Sequence, residues 1–598
     1  MANVRITKTK TRVEISPLIH GDFIEFIGHM TDQMWGERLD DRKFAGYNPP
    51  RLEFHFLPEE ETEQRRPWRD AIWHAKGRVV GDDADPYSGP ACVRIEADDV
   101  ETAEIGADNA IISSPGNGWV GIRQKTWVRK GEKLRFAGYF RASAPVRVKV
   151  AVGRFMGCFI QPYGSSFGFK ASGDKWKRIE GTLESPVADE NADFVLLLES
   201  PGTRWADSLS LMAVDDLKKT KGWRGDMVEA VKALKPGTLR FGGSELNAYG
   251  WRIGIGDRDK REPYRRFYWG GTESNDVGVD EFLDFCKLTE SEPLLCINAV
   301  TEGPKDAVDL MKHCAARKQG PKVRLWQIGN ELGGPEYEAV LPEFCTAMKK
   351  AQKDAVLLTA YPPSEPTLKK IAPFIEYVSP HYYRPEVEKD AAETDELRAR
   401  LHGMPETKHI KLAITEWNQT ACWWGGGRAV QSTLGNGLYV GRMLNLYRRN
   451  GDFIRIANRS NLVDSWLSGS IQAQGSRIWF HPAYLVQRLF ANYGGRHLLN
   501  VEGSCGGLDI TAALDKAGNA CLTVVNTGTK SVKLTADLSA VGSFRSAKAQ
   551  VVTGDDEWTT NHAAEPERIR VETRKARVAK GTLQWEVPAL SASVVGLK

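Results

Sequence analysis

Three features of the sequence predict a multidomain protein built on a (β/α)8 TIM barrel, with one β-sandwich inserted into the barrel and a second after it. The chain has 598 residues, too many for one apolar core, since single cores stop growing at about 250–300 residues. Two short apolar runs, Leu-Trp-Gln-Ile-Gly-Asn-Glu at 325–331 and Lys-Leu-Ala-Ile-Thr-Glu-Trp at 411–417, each lead to one glutamate. Such runs read as buried strands, and a carboxylate at their end sits where a parallel barrel opens to solvent. Two other long stretches alternate apolar and polar residues, with Gly, Ser, Asp and Pro at the breaks, as half-exposed antiparallel strands do.

Taken in chain order, the first alternating stretch contains residues 91–97, 134–141, 146–152 and 194–199 and ends near 205–212. Residues 227–234 then turn helical, and the barrel runs with their glutamates follow. From about residue 490 the texture is strand-like again, through 508–512, 520–526, 583–587 and 593–597. This second sandwich is expected to buttress the barrel, since its composition carries no catalytic signal.

Composition narrows the function. Hydrophobic residues make up 41% of the chain and the mean hydropathy is −0.40, ordinary for a soluble globular protein. Lys and Arg number 81 against 77 Asp and Glu, a net charge of +4 with no basic block, which argues against a nucleic-acid partner. No run of 18 apolar residues exists, so no membrane span is expected. The basic N-terminus lacks the apolar stretch of a secretory signal, so the chain as written is expected in the cytoplasm; a leader removed beforehand would make it secreted or periplasmic. The nine cysteines include no CxxC pair, and Cys286, Cys296 and Cys521 sit in apolar surroundings expected to bury their thiols. The 11 histidines form no HExxH or HxH cluster, so no metal and no cofactor are expected.

The two glutamates carry the chemistry. Positions 331 and 416 are 85 residues apart, and at roughly 30 residues per βα unit they lie about three strands apart, across the mouth of a closed barrel. Glycoside hydrolysis needs one protonated carboxyl to donate to the leaving oxygen and one ionised carboxylate to attack. In this reading Glu331 is the acid/base and Glu416 the nucleophile, with the charge of Glu416, at roughly 5–5.5 Å, holding Glu331 neutral. Asn330 can bond a sugar hydroxyl, and Trp417 offers a face for a sugar ring to stack on. A lone glutamate after a strand is usually a solvated residue; the pair at barrel spacing carries the inference.

Six ordered blocks resemble the α-L-arabinofuranosidases of glycoside hydrolase family 51. They are Gly21-Asp22-Phe23-Ile24-Glu25-Phe26 with Met34-Trp35-Gly36-Glu37-Arg38-Leu39 and Arg42-Lys43-Phe44; Leu239-Arg240-Phe241-Gly242-Gly243; Trp269, Glu273-Ser274-Asn275, Gly278 and Glu281-Phe282; Ile297-Asn298; and the two glutamate motifs, with His381-Tyr382-Tyr383 between them. The resemblance implies that residues 1–16 join the C-terminal sandwich, that 17–58 begin the barrel, that 59–216 are a carbohydrate-binding type of insert, that 217–489 complete the barrel and that 490–598 form the last domain. Asn330 and Glu25 would bond ring hydroxyls, Tyr383 would orient the nucleophile, and His381 and Trp269 would line the site. In the insert, Trp119, Trp127, Tyr163 and Phe167 could stack sugars or simply pack. The family also allows a homo-oligomer.

Departures from the family pattern fall where the sugar would be read. Asp22 replaces a histidine, Ser244-Glu245 follows Gly-Gly where Asn or Cys is usual, and His481 stands in place of a glutamine. Swapped polar partners can shift substrate preference by factors of about 10⁴ or more. Three function classes therefore stand: a retaining exo-α-L-arabinofuranosidase acting on arabinose-containing plant polysaccharides or oligosaccharides; a same-scaffold glycosidase for a galactofuranoside, a D-arabinofuranoside or a β-glucan; and a non-catalytic carbohydrate-binding protein.

Overall fold

The computed structural model describes residues 1–46, 67–100, 118–155, 160–164, 166–420, 427–465 and 468–598. The expected boundary between residues 58 and 59 lies outside them.

Eight parallel strands close a barrel: Gly21–Ile24, Thr238–Phe241, Glu292–Ile297, Leu325–Ile328, Val356–Thr359, a sixth broken into Tyr377–Val378 and His381–Tyr382, Lys411–Trp417 and Ile454–Arg459. The sixth pairs with the seventh and the eighth with the first, which closes the ring. Strand alternation sorts the side chains. Inward-facing Leu294, Leu325, Leu358, Ala413 and Ile456 form an apolar floor. Two residues further along four of these strands come Cys296, Gln327, Thr415 and Asn458, all buried, so a polar layer lies above the floor, toward the mouth. The intervening residues face the helices, as where Phe241 stacks on Phe282 of helix Val279–Thr289, with centroids 5.1 Å apart.

The insert is an antiparallel network of nine strands between Arg69–Trp73 and Gly202–Ala213, wrapped around its own apolar core. Its return to the barrel is tied by charge. Arg38 stacks on the Trp127 ring 3.2 Å from its centroid, donates to the Trp127 carbonyl at 2.9 Å and pairs with Glu132 at 2.7 Å. Arg129 and Arg224 flank the same ring at 4.9 and 5.1 Å. Glu37 accepts from Ser210 Oγ and the Leu211 amide, each at 2.7 Å. The other aromatics considered as sugar platforms also have packing partners: Trp119 lies against the Ala71 cluster, the Tyr163 hydroxyl donates to Asp189 at 2.6 Å, and Phe167 packs on Phe169.

The C-terminal strands, from His497–Ser504 to Ser591–Leu597, close on themselves through the N-terminal strand Ala2–Lys8, which pairs antiparallel with His497–Ser504 and parallel with Val532–Asp537. Closure leaves no free sheet edge. Residues 13–15 add only a short bridge, Glu14 opposite His497. Asn445, on helix Leu434–Arg449, ties this domain to the barrel through Thr523 at 2.6 Å and Asp509 at 3.0 Å. Among the described residues no helix is long and apolar enough to cross a membrane.

Because Trp127 is held between arginines at the junction of insert and barrel, Trp127→Ala should lower unfolding stability by about 2–4 kcal/mol. Thermal unfolding checks this; a stable variant that loses only polysaccharide retention would reverse the reading.

Candidate active site

The fourth strand ends in a turn that aims a carboxylate at the mouth. Gly329 has φ +74°, and a Cβ there would collide with Leu332. Glu331 itself adopts φ +51°, a conformation that costs a non-glycine residue on the order of 1–2 kcal/mol and lifts its carboxylate out of the strand direction. Glu331 Oε1 accepts from His381 Nδ1 at 2.9 Å and from the Tyr361 hydroxyl at 3.3 Å. Glu416, near the end of the seventh strand, is nearly buried; its Oε1 accepts from Arg240 Nη1 at 2.9 Å and its Oε2 from the Tyr383 hydroxyl at 2.8 Å. One ligand atom from each of Glu331, Glu416 and His381 lies within 4.8 Å of the others.

Arg240 organises the polar layer. Fully buried, it donates from Nε to Gln327 Oε1 at 2.7 Å, from Nη1 to Glu416 and from Nη2 to Asn330 Oδ1. That last bond fixes the Asn330 amide, whose Nδ2 is buried without a partner among the described residues and so is a donor in need of an acceptor. The Asn330 backbone is clamped at both ends by Asn247, whose Nδ2 donates to its carbonyl at 2.8 Å and whose Oδ1 accepts from its amide at 3.1 Å. Sequence reasoning assigned no role to Arg240, Asn247, Gln327 or Tyr361. A charge inside the apolar strand Thr-Leu-Arg-Phe was a usable signal for Arg240, because buried charges are kept only with partners; Asn247 had none.

Glu25 is buried beside this pair, accepting from Trp269 Nε1 at 2.7 Å. Gly243, at φ +97°, sits directly against it, and a Cβ there would overlap the Glu25 carboxyl. Burial and the charge of Glu416 push Glu25 up to about 8. Glu331 behaves otherwise than expected. Burial pushes its pKa up, but the hydrogen bond and charge of His381, with Arg240 and Tyr361 behind them, outweigh that and leave it below the usual carboxylate range. The protonated carboxyl of the resting site at neutral pH is therefore Glu25. Burial and the neighbouring Glu416 charge also hold the Tyr383 hydroxyl well above its ordinary value, so it stays a donor.

Other expected contacts fall elsewhere. Trp417 does not reach the mouth: a register shift between Ile414 and Trp417 breaks the alternation of the seventh strand, and its buried indole packs edge-on against Tyr447 at 5.3 Å. Glu245 is fully buried, and its carboxylate is occupied by the Tyr264 hydroxyl at 2.6 Å and the amides of Phe267, Tyr268 and Trp269 at 2.6, 3.0 and 3.4 Å; it shapes a loop. Ser244 is half-buried at the start of the turn Ser244–Asn247. His481 is enclosed, bonded by the Gly469 backbone, and burial pushes its pKa down to about 4. Asp22 points to the helix Pro482–Tyr493, pairing with Arg459 at 3.0 Å and accepting from Gln487 at 2.6 Å.

A pair of carboxylates at the mouth of a parallel barrel, one buried and held by an arginine and a tyrosine, the other at the rim and held by a histidine, defines the class of barrel glycoside hydrolases. Comparison with known proteins narrows the class. Residues 230–399 match the model of the α-L-arabinofuranosidase 1 domain and residues 415–591 that of the α-L-arabinofuranosidase C-terminal domain, together more than half of the chain. The chain is 26% identical to an intracellular exo-α-(1→5)-L-arabinofuranosidase of Acetivibrio thermocellus over 46% of its length and 67% of that protein. It is also 26% identical to α-L-arabinofuranosidase C of Emericella nidulans, over 60% and 86%. Among solved structures, an arabinose-bound MgGH51 α-L-arabinofuranosidase superposes over 100% of both chains with a TM-score of 0.80 at 18% identity. The enzyme from Thermotoga petrophila covers 64% of this chain and 92% of its own, with a TM-score of 0.59 at 21% identity. The chain belongs to the α-L-arabinofuranosidases of glycoside hydrolase family 51.

Two outcomes test the site. Arg240→Met, which leaves Glu416 buried without its cation, should cut kcat/KM roughly 10²–10³-fold in a protein that still folds by circular dichroism. Glu25→Gln mimics the protonated acid. A carboxyl raised in the folded state contributes stability that is complete below its unfolded value near 4.5 and is lost as pH rises through about 8. The variant should therefore match the wild type in melting temperature at pH 4.5 and exceed it at pH 9; equal pH slopes would refute the raised Glu25.

Proposed function

We propose that the chain is a retaining exo-α-L-arabinofuranosidase in which Glu416 is the nucleophile and Glu331 the acid/base. The observation that carries this is the spacing of the two carboxylates, with ligand atoms no more than 4.8 Å apart. That is too close to hold both the sugar and an attacking water between them, and it fits the roughly 5–5.5 Å of double-displacement glycosidases better than the roughly 6.5–9.5 Å of inverting ones. Glu416, oriented by Arg240 and Tyr383, attacks the anomeric carbon and forms a glycosyl ester while the glycosidic oxygen takes a proton from Glu331. Water then attacks the ester, giving its proton to Glu331, and the sugar leaves with retained configuration.

The lowered pKa of Glu331 in the free site sets a condition on the first step. The carboxyl is loaded with a proton only as substrate covers the mouth, displaces water and raises the cost of its charge. Its charge partner His381, braced at Nε2 by the Thr415 hydroxyl at 3.0 Å, is positioned to set that balance. Asn330 Nδ2 and the protonated Glu25 supply donors for sugar hydroxyls.

Arabinofuranoside remains the favoured substrate because three of the departures from the family pattern are tied up by partners away from the catalytic pair. Asp22, Glu245 and His481 are engaged with Arg459 and Gln487, with the 264–269 loop and with the Gly469 backbone respectively. The cluster of Glu331, His381 and Glu416 could in geometry hold a cation, but Arg240 already brings positive charge to Glu416 at 2.9 Å, and the proposed steps need none.

Glu416→Ala should abolish turnover of every substrate. Glu331→Ala should spare activated aryl substrates most and recover with azide, because only protonation and water activation are lost. A near-wild-type rate on a natural linkage in either variant would sink the assignment. His381→Phe removes the bond that lowers Glu331, so the alkaline limb of kcat/KM should move to higher pH. Chelation with EDTA should leave the rate unchanged. Across α-L-arabinofuranoside, β-D-galactofuranoside, α-D-arabinofuranoside and β-D-xyloside, the first should have the highest kcat/KM.

A further inference from the structure

The loop that Glu245 shapes carries three aromatic residues in a row, and they do not do the same thing. It is the tip of a two-stranded hairpin, Tyr264–Arg265 with Thr272–Glu273. The tip is closed by the Arg266 amide donating to the Gly271 carbonyl at 3.0 Å and turned by Gly270 and Gly271 at φ +63° and +83°. Beneath it, the buried Glu245 carboxylate takes the amides of residues 267–269. Arg266 anchors the base by donating to the Gly28 carbonyl at 2.8 Å and lying 3.5 Å from Glu273. Trp269 turns inward to Glu25. Phe267 and Tyr268 turn outward, 71% and 43% exposed, in edge-to-face contact at 5.0 Å and 80°.

An exposed phenylalanine on a loose loop needs no explanation. Here the backbone under two exposed rings is held by a buried carboxylate, one residue from an indole that bonds Glu25 in the pocket. We propose that Phe267 and Tyr268 are the stacking surface for the leaving-group saccharide, the part of the chain that remains after the terminal furanose is removed. The proposal rests on the glycosidase reading above. A sugar presents apolar C–H faces that pack on aromatic rings, while its hydroxyls point to water at the edges. Rings on a held backbone, on the loop that also brings Trp269 to Glu25, provide such a face with little loop ordering on binding. The occupant is accordingly an oligosaccharide or polymer longer than the sugar in the pocket, and the surface would give preference for chain substrates over small glycosides.

The test compares two leaving groups in Phe267→Ala, Tyr268→Ala and the double variant. On α-1,5-linked arabinotriose, kcat/KM of the double variant should fall about 10-fold, chiefly through KM, in keeping with the strength of aromatic stacking. On α-L-arabinofuranosyl fluoride, whose leaving group is too small to reach the rings, the change should stay within about 2-fold. Equal losses on both substrates, or no loss on either, would overturn the proposal. A wild-type protein inactive on every arabinofuranoside would overturn the reading of the site instead, and the surface would then be judged by binding. Arabinotriose should bind Glu416→Gln about 10-fold more weakly by calorimetry when residues 267 and 268 are both alanine, and unchanged affinity would overturn it.

Discussion

One buried cation fixes the geometry of the mouth. Arg240 lies in the polar layer above the barrel floor and reaches Gln327, Glu416 and Asn330 with three different nitrogens. A guanidinium is planar and always charged, so three partners from the fourth and seventh strand ends are set in one plane by a single side chain. Isolated, such a charge would be too costly to bury; here it is paired with Glu416 at 2.9 Å. The orientation of the proposed nucleophile and the direction of the Asn330 amide follow from where this pair stands, and the Glu416 charge adds to burial in raising Glu25.

Around that centre the protein separates charge by burial. Glu416 is bonded by Arg240 and Tyr383. Glu25, directly after the first strand, is pushed up to about 8 by burial and by the Glu416 charge, against the hydrogen bond from Trp269. Glu331 sits at the open rim under His381 and is drawn down instead. Glu25 and Glu331, two carboxyls of one chemistry, thus shift in opposite directions because each meets a different mixture of water, charge and hydrogen-bond donor. The cost of this arrangement appears as left-handed backbone at Glu331 and as two glycines, Gly243 and Gly329, that no other residue could replace without a collision.

The outer domains serve this centre from a distance. The insert is locked to the opening segment of the barrel through Glu37, Arg38 and Trp127. That segment in turn holds the loop preceding the third strand: Arg42 bonds Asp276 and Asp259, and the Lys43 amine donates to the carbonyls of Arg258, Arg261 and Ser274. The hairpin bearing Trp269 lies within that loop. The position of an indole against Glu25 therefore depends on salt bridges made by residues that never approach the substrate.

The sequence by itself determined the barrel and the placing of two glutamates at its strand ends, because both are written in local pattern. Apolar runs of strand length mark the strands, and a carboxylate after such a run is displayed at the strand end whatever else surrounds it. Alternation did not reach the end of the seventh strand: Ala413, Thr415 and Trp417 share a parity, but a register shift between Ile414 and Trp417 turns the indole to the helices and Glu416 to the mouth. Only the tertiary structure decided which polar residues line the pocket. Asp22, Glu245 and His481 sit beside the right motifs in sequence but are engaged by Arg459, by three loop amides and by the Gly469 backbone. Arg240 and Asn247 reach the site through contacts 83–176 residues away in sequence. Proton affinity was decided there as well, since it depends on burial and on charges brought together from distant strands, and no local pattern encodes the distance between them.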